Sequence, residues 1–121
     1  MAVVWVTHDL GVVARVVDSV AVMYAGRVVE RATTRQLFSH PCHPYTLALL
    51  GSLPHAETGH RASLAQIGGT PPDPTRLERG CPFRARCRFA VAHCAEEEPP
   101  LIDRGLGSMA ACWRSPDDWR R

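Results

Sequence analysis

Residues 2–30 read AVVWVTHDLGVVARVVDSVAVMYAGRVVE, and the order of elements they imply decides the fold. Residues 2–7 are apolar and β-branched without alternation, the pattern of a strand buried on both faces. Asp9 then stands where its side chain can accept an orphan N–H of a helix that begins just after it. Leu10, Val13, Ala14 and Val17 recur at helical spacing while Arg15 and Asp18 fall off that stripe, so the stripe reads as core packing. Residues 20–24 and 27–31 flank Ala25 and Gly26, and Gly26 can take the positive φ of a tight hairpin. Strand, helix and hairpin in this order predict the closing edge of an α/β sheet.

Composition changes along the chain. Residues 1–53 are rich in Val and Leu and regularly patterned, and are expected to form one unit. Residues 54–80 carry Pro54, Gly59, Gly68, Gly69, Pro71, Pro72 and Pro74 and read as a linker or wrapped loop. Residues 81–121 hold four of the five cysteines, with little periodicity, and are expected to form an irregular extension. The formal net charge is +2, with no lysine and with scattered arginines. That distribution offers no electrostatic footprint for nucleic acid. No run approaches the ~20 apolar residues of a membrane-spanning helix, and the first residues lack the pattern of an export signal. A cytoplasmic location is expected, where cysteines read as thiolates or metal ligands rather than disulfides.

His8 sits where the buried run ends and the capped helix begins. In open α/β sheets ligands bind beyond the carboxyl ends of strands, and a histidine there can donate to a phosphate oxygen. The competing reading is a structural histidine bonded to a nearby carbonyl. Downstream, Thr33 and Gln36 fit a capping box, and Pro44 suits the first turn of a helix bearing Tyr45, Leu47, Leu49 and Leu50. His40, Cys42 and His43 are restricted by Pro41 and Pro44 and lack a recognised ligand spacing. The two histidines read as surface residues at the start of that helix, and Cys42 as an ordinary thiol.

Cys81, Cys87, Cys94 and Cys112 are spaced C-x5-C-x6-C-x17-C. Four thiolates suit a tetrahedral zinc ion or the corners of an iron–sulfur cluster. The close C-x2–4-C pair usual in zinc sites is absent, and wider spacing suits a larger object. Disulfides or buried free thiols are the remaining reading of these residues. Phe83, Phe89 and Trp113 are placed to exclude water from the sulfurs.

The stretch from Thr7, His8 and Asp9 through Met23, Tyr24, Gly26, Arg27, Val29 and Glu30 resembles the end of an ATP-binding-cassette (ABC) ATPase nucleotide-binding domain. HPCHPYTLALLGSLP, residues 40–54, with His43, Pro44, Tyr45 and Thr46, is similar to the His-Pro-Tyr signature of the oligopeptide, dipeptide and nickel importers. GCPFRARCRFAVAHCAEEEPPL, residues 80–101, with the later Cys112, looks like the carboxy-terminal extension of those ATPases. The resemblance implies a fold comprising the last strand, helix, hairpin and helices of that domain plus the cysteine-rich extension. It implies that His8 is the switch histidine that senses the γ-phosphate, and that Cys81, Cys87, Cys94 and Cys112 bind a 4Fe–4S cluster, with zinc as the alternative. It also implies ATP and Mg²⁺ as cofactors of the parent enzyme. Implied partners are membrane permease subunits and a second ATPase subunit, at the inner face of the cell membrane.

The family's glycine-rich Lys-Ser/Thr loop, its glutamine loop, its Ser-Gly-Gly-Gln-type signature and its Asp-Glu pair do not occur in this sequence. The first residues therefore read as lying inside the parent domain, as a degraded or frameshifted gene or a misplaced start codon would leave them. The expected function is the carboxy-terminal part of an ATPase that drives peptide import, without ATP hydrolysis of its own. A stand-alone iron–sulfur or zinc module is the alternative.

Overall fold

Asp9 starts the first helix as its position predicts, its Oδ1 accepting the N–H groups of Gly11 at 2.9 Å and Val12 at 3.2 Å. Helix α1 runs Leu10–Val16 and turns Val13 into the interior. The computed structural model describes residues 1–53 and 67–120, so residues 54–66 of the anticipated linker lie outside the described residues. Residues 1–7 form no strand, which corrects the expectation for residues 2–7. Val4 and Val6 are 91% and 92% exposed. A strand that is apolar on both faces needs neighbours to supply its hydrogen bonds and cover its side chains. Among the described residues none pairs with it.

The hairpin forms as predicted, with strand β1 at Ser19–Tyr24 and strand β2 at Arg27–Thr33 paired antiparallel. Ala25 and Gly26 turn the chain with φ of 49° and 76°, the pair of left-handed residues that a two-residue hairpin loop requires. Thr33 caps helix α2 (Thr34–Ser39) by accepting the Gln36 N–H at 3.3 Å. Helix α3 (Pro44–Gly51) has Pro44 in its first turn and His43 as its cap.

The carboxy-terminal segment also contains regular structure. A short helix α4 spans His93–Glu96, and strands β3 (Ile102–Gly105) and β4 (Ser108–Ala110) form a second hairpin. Strands of four and three residues are too short to show a period in sequence. Strand β4 pairs with β2, Glu30 opposite Ala110, giving one antiparallel sheet ordered β1-β2-β4-β3. The segment that read as an irregular extension thus completes the sheet begun by the first hairpin.

An apolar cluster ties these parts together: Val22, Tyr24, Val29, Ala32 and Leu37 pack with Phe83 from the cysteine-rich segment. The rings of Tyr24 and Phe83 meet edge to face at 5.2 Å, and Tyr45 of α3 lies 4.7 Å from Tyr24 and 5.3 Å from Phe83. Burying a Phe side chain contributes about 1.5–3 kcal/mol, so Phe83 is a principal anchor of the extension. Arg86 adds a polar clasp, donating to the carbonyls of Gly68 at 2.9 Å and Ile67 at 3.3 Å and to the Tyr24 hydroxyl at 3.3 Å.

Candidate functional site

Cys81, Cys87, Cys94 and Cys112 line one cavity, together with Phe83, Phe89, Trp113 and His43. Each sulfur is brought there by different local structure. Gly80 takes a φ of 95°, and a Cβ at this position would lie 2.4 Å from the Cys94 carbonyl oxygen. Only glycine permits this approach, which lets the Cys81 N–H donate to the Cys94 carbonyl at 2.7 Å. Cys87 follows the 3₁₀ turn Arg84–Arg86, and Cys94 is buried within α4. Cys112 follows β4 by one residue, and the intervening Ala111 donates its N–H to the Val29 carbonyl at 2.8 Å. The Arg104 guanidinium also donates to the Cys112 carbonyl.

All five cysteines are free thiols. Burial pushes the Cys81 and Cys87 thiols up from their ordinary range, and neighbouring cysteines raise them further. Cys112 is pushed up to about 11, first by burial and then by Cys81 and Cys87. These three groups are therefore thiols at neutral pH, where the sequence suggested thiolates. Among the described residues no group of three or more His, Cys, Asp or Glu side chains is arranged to hold a metal ion. The cavity has a volume of about 10 Å³, room for one water at most. Four cysteines converging on one apolar-walled cavity fit the donor chemistry of a cluster or a tetrahedral ion. As they stand, the side chains do not close around either.

His8 is exposed, between Thr7, whose hydroxyl accepts the Asp9 N–H at 3.0 Å, and the start of α1. The structure does not bring it to the cysteine cavity. His40 is exposed as predicted, but His43 is 1% exposed, which corrects its reading as a surface residue. Its burial follows from Glu30, which is fully buried on β2 and accepts the N–H groups of Cys42 at 2.7 Å and His43 at 3.0 Å. Thr46 sets its buried hydroxyl beside that carboxylate without reaching hydrogen-bonding geometry. Desolvation raises the Glu30 pKa, and its hydrogen bonds lower it in part. Burial lowers His43 to about 4, so its ring is neutral at pH 7. Sequence reasoning missed this network; its one visible signal is an acid among the apolar residues Val28, Val29 and Ala32 of a strand.

A family model described as the C-terminal region of oligopeptide/dipeptide transporters matches residues 29–94. The chain is 47% identical over 114 residues to a probable peptide ABC transporter ATP-binding protein of Sinorhizobium fredii, covering 94% of this chain and 34% of that protein. It is 41% identical over 117 residues to an oligopeptide transport ATP-binding protein of Salmonella typhimurium, covering 97% and 34%. It is 45% identical over 113 residues to a dipeptide transport ATP-binding protein of Bacillus subtilis, covering 93% and 33%. The chain thus spans about a third of the length of these relatives.

Proposed function

Because this chain belongs to the family of oligopeptide/dipeptide transporter C-terminal regions, we propose that it serves as the carboxy-terminal part of an ATP-binding subunit of an ABC importer for oligopeptides or dipeptides. The observation that carries this reading is the extent of the match. Residues 29–94 run from β2 through the His-Pro-Tyr helix to the third cavity cysteine, the elements that the fold joins around Phe83.

In this reading His8 is the phosphate-sensing group. Its position between residues 2–7 and the capped α1 leaves the imidazole exposed, and a charge-assisted bond to a phosphate oxygen is worth about 1.5–3 kcal/mol. ATP and Mg²⁺ are the cofactors of the assembled subunit. The phosphate loop, the magnesium-binding Asp and the water-polarising Glu do not occur in this sequence, so the chain by itself is expected to show no turnover. Permease subunits and a second ATPase subunit are the proposed partners. The proposed place is peripheral, on the cytoplasmic face of the membrane; no helix among the described residues is long and apolar enough to cross it.

Residues 81–121 form the cysteine extension, and Cys81, Cys87, Cys94 and Cys112 are the residues that would hold a 4Fe–4S cluster. Such a group, when bound, supplies a covalent cross-link among the segments that carry its ligands. The chain's contribution is the apolar wall of Phe83, Phe89 and Trp113, which excludes water from the sulfurs. A free-standing metal module is the weaker reading, since β4 pairs with β2 of the first hairpin.

The test is complementation. This chain is co-expressed with a relative's ATP-binding subunit cut before the part that aligns with this chain, the counterpart of His8 removed with it, and uptake of labelled dipeptide is measured. Restored uptake that is abolished by His8→Ala is expected. A soluble pair that restores nothing, or uptake indifferent to His8→Ala, would sink the proposal.

A further inference from the structure

We infer that Cys81 and Cys94 are a redox pair: a low-molecular-weight disulfide entering the groove beside Cys81 oxidises them reversibly to an intramolecular disulfide. The Cys81 N–H donates to the Cys94 carbonyl at 2.7 Å, so the two residues meet through their backbones. Bond lengths along that bridge put their Cα atoms about 5–6 Å apart, within the roughly 4.4–6.8 Å that a disulfide spans. Both side chains line the same cavity, of about 10 Å³. Closing a bond there needs no added room, because two hydrogens leave and a sulfur–sulfur distance of about 2.05 Å replaces a van der Waals gap. Gly80 holds this register, since a Cβ there would lie 2.4 Å from the Cys94 carbonyl oxygen. Among the described residues no other two of the four cysteines share a backbone hydrogen bond.

Cys81 also differs from the other three in access. It lines a surface groove of about 330 Å³ whose walls include the exposed residues Arg27, Val28, Glu98 and Pro100, and Cys87, Cys94 and Cys112 take no part in those walls. Cys81 is half-buried and Cys94 is buried. That placement orders the exchange. The Cys81 sulfur, its proton lost to solvent, attacks one sulfur of the small disulfide; a mixed disulfide forms, and the reagent's own sulfur–sulfur bond breaks to release one thiolate, which takes up a proton. Cys94, deprotonated in turn, attacks the Cys81 sulfur and expels the second thiolate. Two cysteine thiols are oxidised, and one reagent disulfide is reduced to two thiols. The inference goes beyond the importer reading and stands whether or not the cysteines hold a metal.

The test uses the full chain, reduced, metal-free and folded by circular dichroism, with hydroxyethyl disulfide as the oxidant. Remaining thiols are alkylated, and linked peptides are mapped by mass. Cys87 stands closer in sequence to Cys81 and to Cys94 than these two do to each other, so an unfolded chain favours links through Cys87. The same reaction in urea therefore measures what sequence proximity alone gives.

In buffer a Cys81–Cys94 link is expected, reversed by a dithiol reductant, and in urea links through Cys87 should take over. Cys94→Ser should stop at a mixed disulfide on Cys81. Cys81→Ser should slow loss of the Cys94 thiol roughly tenfold, since the accessible sulfur is gone. Cys112→Ser should form the link at the parent rate. A link through Cys87 or Cys112 that dominates in buffer overturns the inference. So does a chain that stays reduced, one that carries only the reagent adduct at Cys81, or the same pairing in buffer and in urea. The map of the parent chain decides by itself if a serine variant fails to fold.

Discussion

The carboxylate of Glu30 accepts the backbone N–H of His43 at 3.0 Å, from a strand position with no solvent exposure. The same carboxylate takes the Cys42 N–H at 2.7 Å, so it satisfies donors that the start of α3 would otherwise leave orphaned. A negative group there also meets the favourable end of the helix dipole. Glu30→Gln turns one of the two acceptors into a donor and leaves a buried N–H facing it. We expect a loss of about 2 kcal/mol, read as a lower urea midpoint, and a larger loss for Glu30→Ala, which adds a cavity. A loss below about 0.5 kcal/mol, the level of ordinary surface substitutions, would show that the carboxylate does not hold α3.

Gly80→Ala tests the close approach that joins Cys81 to Cys94. The added Cβ meets the Cys94 carbonyl oxygen at 2.4 Å and backbone atoms of Ala95 at 2.9 and 3.0 Å, at a φ of 95°. Backbone cannot move aside as a flexible side chain does, and the positive φ is itself strained by roughly 1–3 kcal/mol. The expected result is destabilisation of at least that size together with faster alkylation of Cys94, which is buried in the parent chain. Gly26→Ala is the control, because nothing lies within 4 Å of a Cβ there and only the backbone cost applies. Equal effects from the two substitutions would remove the argument for a tight Gly80 contact.

The buried ring of His43 gives the chain an acid sensitivity of predictable sign. Burial lowers its pKa from 6.5 to about 4, so the folded state binds fewer protons than the unfolded state between those values. Its contribution is fully present above pH 6.5 and is lost as pH falls through about 4, amounting to roughly 3 kcal/mol across the window. Glu30 acts in the opposite sense, since burial raises its pKa and acidification relieves its desolvation. Urea midpoints measured from pH 7 to 4 should fall in the parent chain and fall less in His43→Asn, which does not titrate there. Parallel slopes in the two proteins would assign the acid sensitivity elsewhere.

What the sequence revealed, and what it hid, divides by the range of the interaction. Asp9, Thr33, Pro44 and Gly26 act on their immediate neighbours, and each does what its residue type predicts. The pairing of Glu30 with Ala110 spans most of the chain and leaves no local pattern, because β4 is three residues long. Residues 2–7 have the composition of a buried strand, yet composition cannot supply the partners that make one. Of the site, the four cysteines were legible as a spaced set. His43 was not, since a histidine between Cys42 and Pro44 reads as polar surface until Glu30 and Phe83 are placed around it.

The four cysteines support a last prediction, on how the cavity takes up a ligand. Metal or cluster binding requires thiolates, but Cys112 is pushed up to about 11 and burial also raises Cys81 and Cys87. Loading must therefore displace protons, and its rate should rise with pH from 7 to 9. Anaerobic reconstitution with iron and sulfide should give broad absorbance near ~400 nm with iron matched by acid-labile sulfide. Serine at position 81, 87, 94 or 112 should lower that yield several-fold. Cys42→Ser should not, because Cys42 lies outside the cavity, with its N–H on Glu30. Stoichiometric zinc without iron would replace the cluster by a single ion, and a yield independent of all four substitutions would detach the cysteines from metal altogether.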